Sequence, residues 1–167
     1  EAAKLVSGFL GLDKQREKQA ANRGLQVIGG GFARTGTKST EAALLKLGHK
    51  IYDTRSILEC NHADRWVKAA QELRDGKDAE LKTLLADMEQ RGYTATLDFP
   101  VNLFAKALAD LRPEAKVLFT TRNLDNWYRS WRDVNDILGV FVLRPWSWLV
   151  DFAFTEPLCE AFGFEFI

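Results

Sequence analysis

The residues from Val27 to Thr40 read VIGGGFARTGTKST, a β-rich run that passes through glycines into a helix-forming segment. Gly29 and Gly31 begin the dinucleotide pattern G-x-G-x-x-G, but an arginine occupies its third glycine position. Read as G-x-x-x-x-G-K-[ST], Gly31 and Gly36 are correctly spaced, whereas Lys38 comes one residue late. The stretch therefore predicts a strand, a glycine loop and a helix that match neither pattern.

Length and composition predict a soluble, folded protein. The 167 residues suffice for one domain with a substantial core. Lysine plus arginine equal aspartate plus glutamate at 23 each, which argues against a nucleic-acid partner. Cys60 and Cys159 are isolated, which favours a reducing compartment such as the cytoplasm. No apolar run reaches membrane-spanning length, because Arg144, Pro145 and Asp151 break the longest one.

The order of the segments predicts an α/β fold. Residues 1–24 are polar and helix-prone, and we interpret them as a helical lead-in to one domain over 25–167. Within that domain, β-rich runs alternate with helical patterns, which predicts a parallel sheet with helices on both faces. Ligands bind beyond the carboxyl ends of such strands. We expect the glycine loop, Asp98 and Arg122 to meet at that edge.

The glycine loop has the chemistry of an anion site. Backbone N–H groups at the start of a helix attract phosphate or sulfate-like groups, and the helix dipole adds to that attraction. Arg34 supplies a permanent cation, and Thr35, Thr37 and Ser39 supply hydroxyl groups. The alternative is an ordinary tight turn, which requires the glycine but neither the cation nor the hydroxyl groups.

A pair of residues near the end of the last strand suggests a second anion contact. The segment TTRNLDNWYRSW places Arg122 after a strand and Ser130 eight residues later, two helical turns on. An arginine and a serine so placed are able to hold one phosphate from two sides. Alternatively, Arg122 caps backbone carbonyls or pairs with Asp125, and Ser130 is an indifferent surface residue.

These motifs resemble the sulfotransferases. GFARTGTKS is similar to their 5'-phosphosulfate loop, specifically in the branch that reads G-x-x-R-T-G-T-x-S, and Arg122 with Ser130 is similar to their 3'-phosphate pair. The resemblance covers about Leu25 to Trp131. It implies a P-loop NTPase-like, three-layer fold, with the chain either a fragment or a member shortened at its C-terminus. It also implies nucleotide contacts from Arg34, Thr35, Gly36, Thr37, Lys38, Ser39, Arg122 and Ser130.

The resemblance implies an enzyme, a sulfotransferase that uses 3'-phosphoadenosine 5'-phosphosulfate and no metal. Arg34 would stabilise the leaving group. Asp98, in LDFP, stands where many members carry a histidine base. A carboxylate serves as base if burial or hydrogen bonding supports it. The acceptor would be a small molecule or glycan with a hydroxyl or an amine. The alternatives are a P-loop kinase or nucleotide hydrolase with Mg-ATP, and a non-catalytic nucleotide-binding relative.

Five other side chains invite a functional interpretation. We expect His62 at a helix start or on the surface rather than in an acceptor cleft, and Trp127 with Trp131 in the core rather than on a substrate platform. Trp146 and Trp148 are compatible with either core packing or an acceptor pocket.

Overall fold

The computed structural model describes the backbone of residues 24–141 and the side chains of residues 24–133. The predicted helical lead-in, Trp146, Trp148, Cys159 and the C-terminal end of the sequence lie outside these residues. Four strands are present: β1 (Val27–Gly29), β2 (Ile51–Tyr52), β3 (Ala95–Thr96) and β4 (Lys116–Leu118). The α-helices are α1 (Thr37–Lys46), α2 (Thr54–Glu59), α3 (Ala63–Arg74), α4 (Ala79–Gln90), α5 (Ala105–Leu111) and α6 (Leu124–Phe141), with a 3-10 turn at Val101–Phe104.

The predicted parallel sheet is confirmed. Its strand order is β2-β3-β1-β4, and every neighbouring pair runs parallel. Ile28 of the central strand β1 pairs with Thr96 on one side and with Val117 on the other. All four strands therefore end at one edge, where the glycine loop, Asp98 and Arg122 follow β1, β3 and β4.

The sheet lies between two apolar layers, so the three-layer arrangement is confirmed. Ile28 and Tyr52 pack into the larger core with α2 to α5, where Trp66 and Phe104 are fully buried. The adjacent residues of the same strands point to the other face, where Leu44 of α1 meets Ala95, Leu97, Val27 and Ile51. This alternation follows from the two-residue period of a strand.

The glycines before the loop are required by close approach of the neighbouring strands. A Cβ atom on Gly29 would lie 2.5 Å from the carbonyl oxygen of Thr96. A Cβ atom on Gly31 would overlap the Thr120 hydroxyl and lie 2.9 Å from both the backbone nitrogen and the oxygen of Thr120. Glycine is therefore needed here to pack β1 against β3 and the segment after β4.

One helix was not expected from the sequence. α2 begins directly after β2, where the Asp53 carboxylate accepts hydrogen bonds from the backbone N–H of Ser56 at 3.0 Å and from its hydroxyl at 3.1 Å. An aspartate that caps a helix in this way is a recognisable sequence signal. The helix is only six residues long, so its apolar periodicity is too short to stand out.

Candidate anion-binding site

The backbone of the glycine loop has the form of an anion-binding nest. Arg34 and Gly36 have positive φ angles of 70° and 103°, whereas Thr35 between them does not. Alternation of left- and right-handed residues turns successive N–H groups toward one side of the chain. α1 begins directly after Gly36, which is its N-cap and supplies no side chain. The amides of the first turn, at Thr37 and Lys38, therefore lack a side-chain cap from the N-cap position.

Three consecutive carbonyl groups of the loop are held by side chains. The Thr35 hydroxyl donates to the carbonyl oxygen of Phe32 at 2.5 Å, and the indole N–H of Trp127 donates to that of Ala33 at 2.8 Å. Nη1 of Arg122 donates to the carbonyl oxygen of Arg34 at 3.1 Å. A carbonyl oxygen that faced the site would repel an anion. These three hydrogen bonds hold the carbonyl oxygens of the loop against side-chain donors instead.

The structure brings Arg34, Arg122 and Ser130 together. Nε of Arg34 donates to the Ser130 hydroxyl at 3.0 Å, across 96 residues of sequence. Arg122 meets the backbone of Arg34, as described above. Both guanidinium groups are exposed, and Ser130 is half-buried. Two permanent cations and a hydroxyl thus meet at the mouth of the loop.

The other polar residues of the loop differ in their surroundings. The Thr35 hydroxyl lies 2.7 Å from that of Thr120; since it donates its hydrogen to Phe32, Thr120 is the donor of this second bond. Thr37 is half-buried and Ser39 exposed, both in the first turn of α1. Lys38 is 71% exposed and pairs with Glu41 at 2.7 Å. That hydrogen bond raises the pKa of Lys38, so the ammonium group stays charged.

Asp98 lies at the carboxyl end of β3, next to the loop that follows β1. It is half-buried and has a positive φ of 69°. Its Oδ1 accepts the backbone N–H of Phe99 at 3.0 Å, and its carbonyl oxygen accepts that of Asn102 at 3.1 Å. The peptide bond between Phe99 and Pro100 is cis. Asp98 is therefore held in a tight turn at the edge where the strands end.

His62 begins α3 as expected, but the expectation that it lies on the surface is wrong, because its side chain is buried. Nε2 of His62 donates to the Asp87 carboxylate at 2.8 Å, so in the neutral imidazole Nδ1 accepts the Tyr52 hydroxyl at 2.9 Å. The Tyr52 hydroxyl in turn accepts the Trp66 indole N–H at 3.1 Å. Burial lowers the pKa of His62, although Asp87 opposes the shift. The chain of bonds accounts for the buried histidine.

The expectation that Trp127 and Trp131 lie in the core is also wrong. Trp127 is half-buried against the glycine loop, and Trp131 is 38% exposed. Their rings stack at 5.9 Å between centroids, and Trp127 meets Phe32 edge-on at 6.5 Å. The apolar spacing of α6 indicated one shared face correctly. The spacing did not indicate that this face of α6 packs against the glycine loop. Apolar periodicity shows which residues of a helix share a face, but not what that face contacts.

Two residues that hold the loop were missed by the sequence interpretation, Thr120 and Trp127. Thr120 follows β4 and precedes Arg122, so its place at a strand end was a usable signal. No local pattern distinguishes the Trp127 indole N–H from that of an ordinary core tryptophan. Its contact with Ala33 joins residues 94 apart in sequence.

The fold and the site define an α/β protein with a glycine loop, a helix N-terminus and two arginines at the carboxyl edge of a parallel sheet. The chain belongs to the sulfotransferase domain family, whose profile matches residues 26–163. This match confirms the resemblance inferred from the motifs and supports a sulfotransferase-like role.

A curated relative from Aspergillus versicolor, named Ava biosynthesis cluster protein M, is 32% identical over 124 residues. The aligned part covers 74% of this chain and 47% of the relative, so the chain spans about half of that protein. Within the residues that the structure describes, no helix is both long and apolar enough to cross a membrane. Nor does this part of the chain contain a cluster of three or more His, Cys, Asp or Glu residues able to hold a metal ion.

Proposed function

We propose that this protein is a sulfotransferase that moves a sulfuryl group from 3'-phosphoadenosine 5'-phosphosulfate to a hydroxyl or amine of a small molecule or glycan. The observation that carries the proposal is the meeting of Arg34, Arg122 and Ser130 beside the amides of the loop. A nucleotide with phosphates at both ends of its ribose needs two separate anion contacts. The loop supplies one, and Arg122 with Ser130 supplies the other.

In this proposal the loop binds the 5' end of the nucleotide. The amides of Thr35, Gly36, Thr37 and Lys38 face the 5'-phosphate, and the guanidinium of Arg34 leaves Ser130 to neutralise the leaving group. Thr35 acts through its backbone N–H, because its hydroxyl hydrogen is donated to Phe32. Lys38 and the Ser39 hydroxyl reach the phosphates from the first turn of α1, in which both lie.

Transfer then proceeds by in-line attack of the acceptor on sulfur. A bond forms between the acceptor oxygen or nitrogen and sulfur, and the bond from sulfur to the 5'-phosphate oxygen breaks. The leaving group is adenosine 3',5'-bisphosphate, with its new charge held by Arg34 and the loop amides. Asp98 receives the acceptor proton and passes it to solvent. Since Oδ1 accepts the Phe99 N–H, Oδ2 is the oxygen suited to receive it.

The name of the Aspergillus versicolor relative refers to a biosynthesis cluster, which favours a small-molecule acceptor for this chain as well. Sulfuryl transfer from labelled 3'-phosphoadenosine 5'-phosphosulfate to pooled phenols, alcohols, amines and glycans would identify the acceptor class. We expect at least one class to be labelled by the wild-type protein and not by the Arg34→Ala variant.

Nucleotide binding tests the proposal without knowledge of the acceptor. Isothermal titration should show binding of adenosine 3',5'-bisphosphate that is weakened about 10- to 100-fold in Arg122→Ala, the range for losing a charged hydrogen bond. Arg132→Ala is the matched control, because Arg132 lies exposed on α6 near Asp133. Binding of ATP with magnesium but not of the bisphosphate would contradict the proposal and favour a kinase or nucleotide hydrolase.

A further inference from the structure

Two of the three side chains that hold carbonyl groups of the glycine loop lie outside the loop. The carbonyl groups of Phe32, Ala33 and Arg34 follow one another, and each accepts a hydrogen bond from a side chain. One donor, Thr35, belongs to the loop itself. The other two, Arg122 and Trp127, belong to the segment that follows β4.

The direction of a carbonyl group fixes the direction of the next amide. In a trans peptide, the C=O of one residue and the N–H of the next point in opposite directions. The Trp127 indole therefore turns the N–H of Arg34 away from α6 by holding the carbonyl of Ala33. Arg122 does the same for the N–H of Thr35 by holding the carbonyl of Arg34.

Without the hydrogen bonds from Trp127 and Arg122, the carbonyl groups of Ala33 and Arg34 would be free to turn toward a bound anion. Arg34 has a positive φ, which is unfavourable for a residue with a side chain. Such a conformation persists only when its surroundings hold it. The contact from Trp127 is 2.8 Å long and half-buried, whereas the contact from Arg122 is exposed and 3.1 Å long. Trp127 is thus the better placed of the two to hold the loop before a ligand arrives.

We propose that Trp127 is a positioning residue of the nucleotide site: its indole N–H, bound to the Ala33 carbonyl, fixes the Ala33–Arg34 peptide and so keeps the amides that follow, from Thr35 to Lys38, directed at the 5'-phosphate. The proposal rests on the sulfotransferase function proposed above. It gives Trp127 a role that its aromatic spacing on α6 did not indicate. It also separates two tasks on one helix, since Ser130 meets the ligand whereas Trp127 orients the loop.

The test replaces the indole by a ring that lacks the N–H group. Trp127→Phe keeps an aromatic ring between Phe32 and Trp131. Trp131→Phe is the matched control, since it makes the same replacement in the other ring of the stack. We expect Trp127→Phe to weaken the binding of adenosine 3',5'-bisphosphate about three- to tenfold, as for one neutral hydrogen bond, with the melting temperature nearly unchanged. We expect Trp131→Phe to bind within a factor of two of the wild type.

Amide spectra separate orientation of the loop from general stability. In the free protein, the backbone N–H order parameters of Arg34 and Thr35 should fall in Trp127→Phe and not in Trp131→Phe. In the wild type, these two amide resonances should shift when the bisphosphate is added. Equal affinity in Trp127→Phe and wild type would overturn the proposal, and so would equal losses in the two variants, because the ring stack would then be responsible.

The two proposals fail in different ways. If the wild type does not bind the bisphosphate, the proposed function is wrong. The order parameters of Arg34 and Thr35 in the free protein then still decide whether Trp127 holds the loop. Unchanged order parameters in Trp127→Phe would overturn the positioning role by themselves.

Discussion

Replacing Gly31 by alanine tests how closely the end of β1 approaches the segment after β4. The new Cβ atom would overlap the Thr120 hydroxyl and lie 2.9 Å from the backbone nitrogen and oxygen of the same residue. The hydroxyl is able to rotate away. The two backbone atoms move only if the segment after β4 moves with them.

The cost follows from these contacts. Extra methyl groups in a packed region cost about 1–3 kcal/mol, and the backbone contacts place this change in the upper half of that range. We therefore expect Gly31→Ala to lower the free energy of unfolding by about 2–3 kcal/mol. For a chain of this size, that corresponds to a fall in melting temperature of roughly 4–12 °C.

Urea unfolding monitored by circular dichroism measures the effect. Gly76→Ala is the control for backbone strain alone, because Gly76 has a positive φ of 71° and no atom within 4 Å of its Cβ position. It should lose only about 1 kcal/mol. The double variant Gly31→Ala/Thr120→Ala should recover part of the lost stability. Removing the Thr120 hydroxyl relieves one of the three close contacts, whereas the two contacts with the Thr120 backbone remain. A Gly31→Ala protein as stable as the wild type would refute the close approach of these segments.

Three further outcomes follow from the site and the core. Because burial lowers the pKa of His62, stability should decrease as the pH falls from 7 to 5; His62→Gln should flatten that decrease in urea titrations, and an equally steep decrease in this variant would contradict the assignment. Burial raises the pKa of Glu89, but the hydrogen bonds from Arg112 and from the Leu25 N–H, together with the charge of Arg112, lower it overall, so Glu89→Gln should cost about 1–3 kcal/mol at pH 7 and much less at pH 3. A steeper pH dependence in Glu89→Gln than in the wild type would contradict this. Asp98→Asn should retain bisphosphate affinity within about threefold and lose at least tenfold in sulfuryl-transfer rate; an unchanged rate would exclude Asp98 as the base.

The sequence predicted the fold through alternation of strands and helices. The strands that precede the glycine loop, Asp98 and Arg122 are present as β1, β3 and β4, and each is followed by a helix. The strand before Asp98 has only two residues, Ala95–Thr96, because its pairing with β1 and β2 extends no further.

The site was predictable where a residue stands at a strand end or in a motif. Arg34, Arg122 and Ser130 were named from sequence, and the structure places them in contact. The roles of Thr120 and Trp127 depend on long-range contacts: Thr120 lies 85 residues after its partner in the loop, and Trp127 lies 94 residues after its own. The spacing of residues along one helix carries no information about such contacts. His62 was misjudged because its burial depends on partners from β2 and α4.

A crystal structure of the protein with adenosine 3',5'-bisphosphate tests the central claim most directly. The account predicts the 5'-phosphate within hydrogen-bonding distance of the amides from Thr35 to Lys38, and the 3'-phosphate against Arg122 and Ser130, with Arg34 released from Ser130. Nucleotide bound at another surface, or bound with its 3'-phosphate away from Arg122 and Ser130, would contradict it.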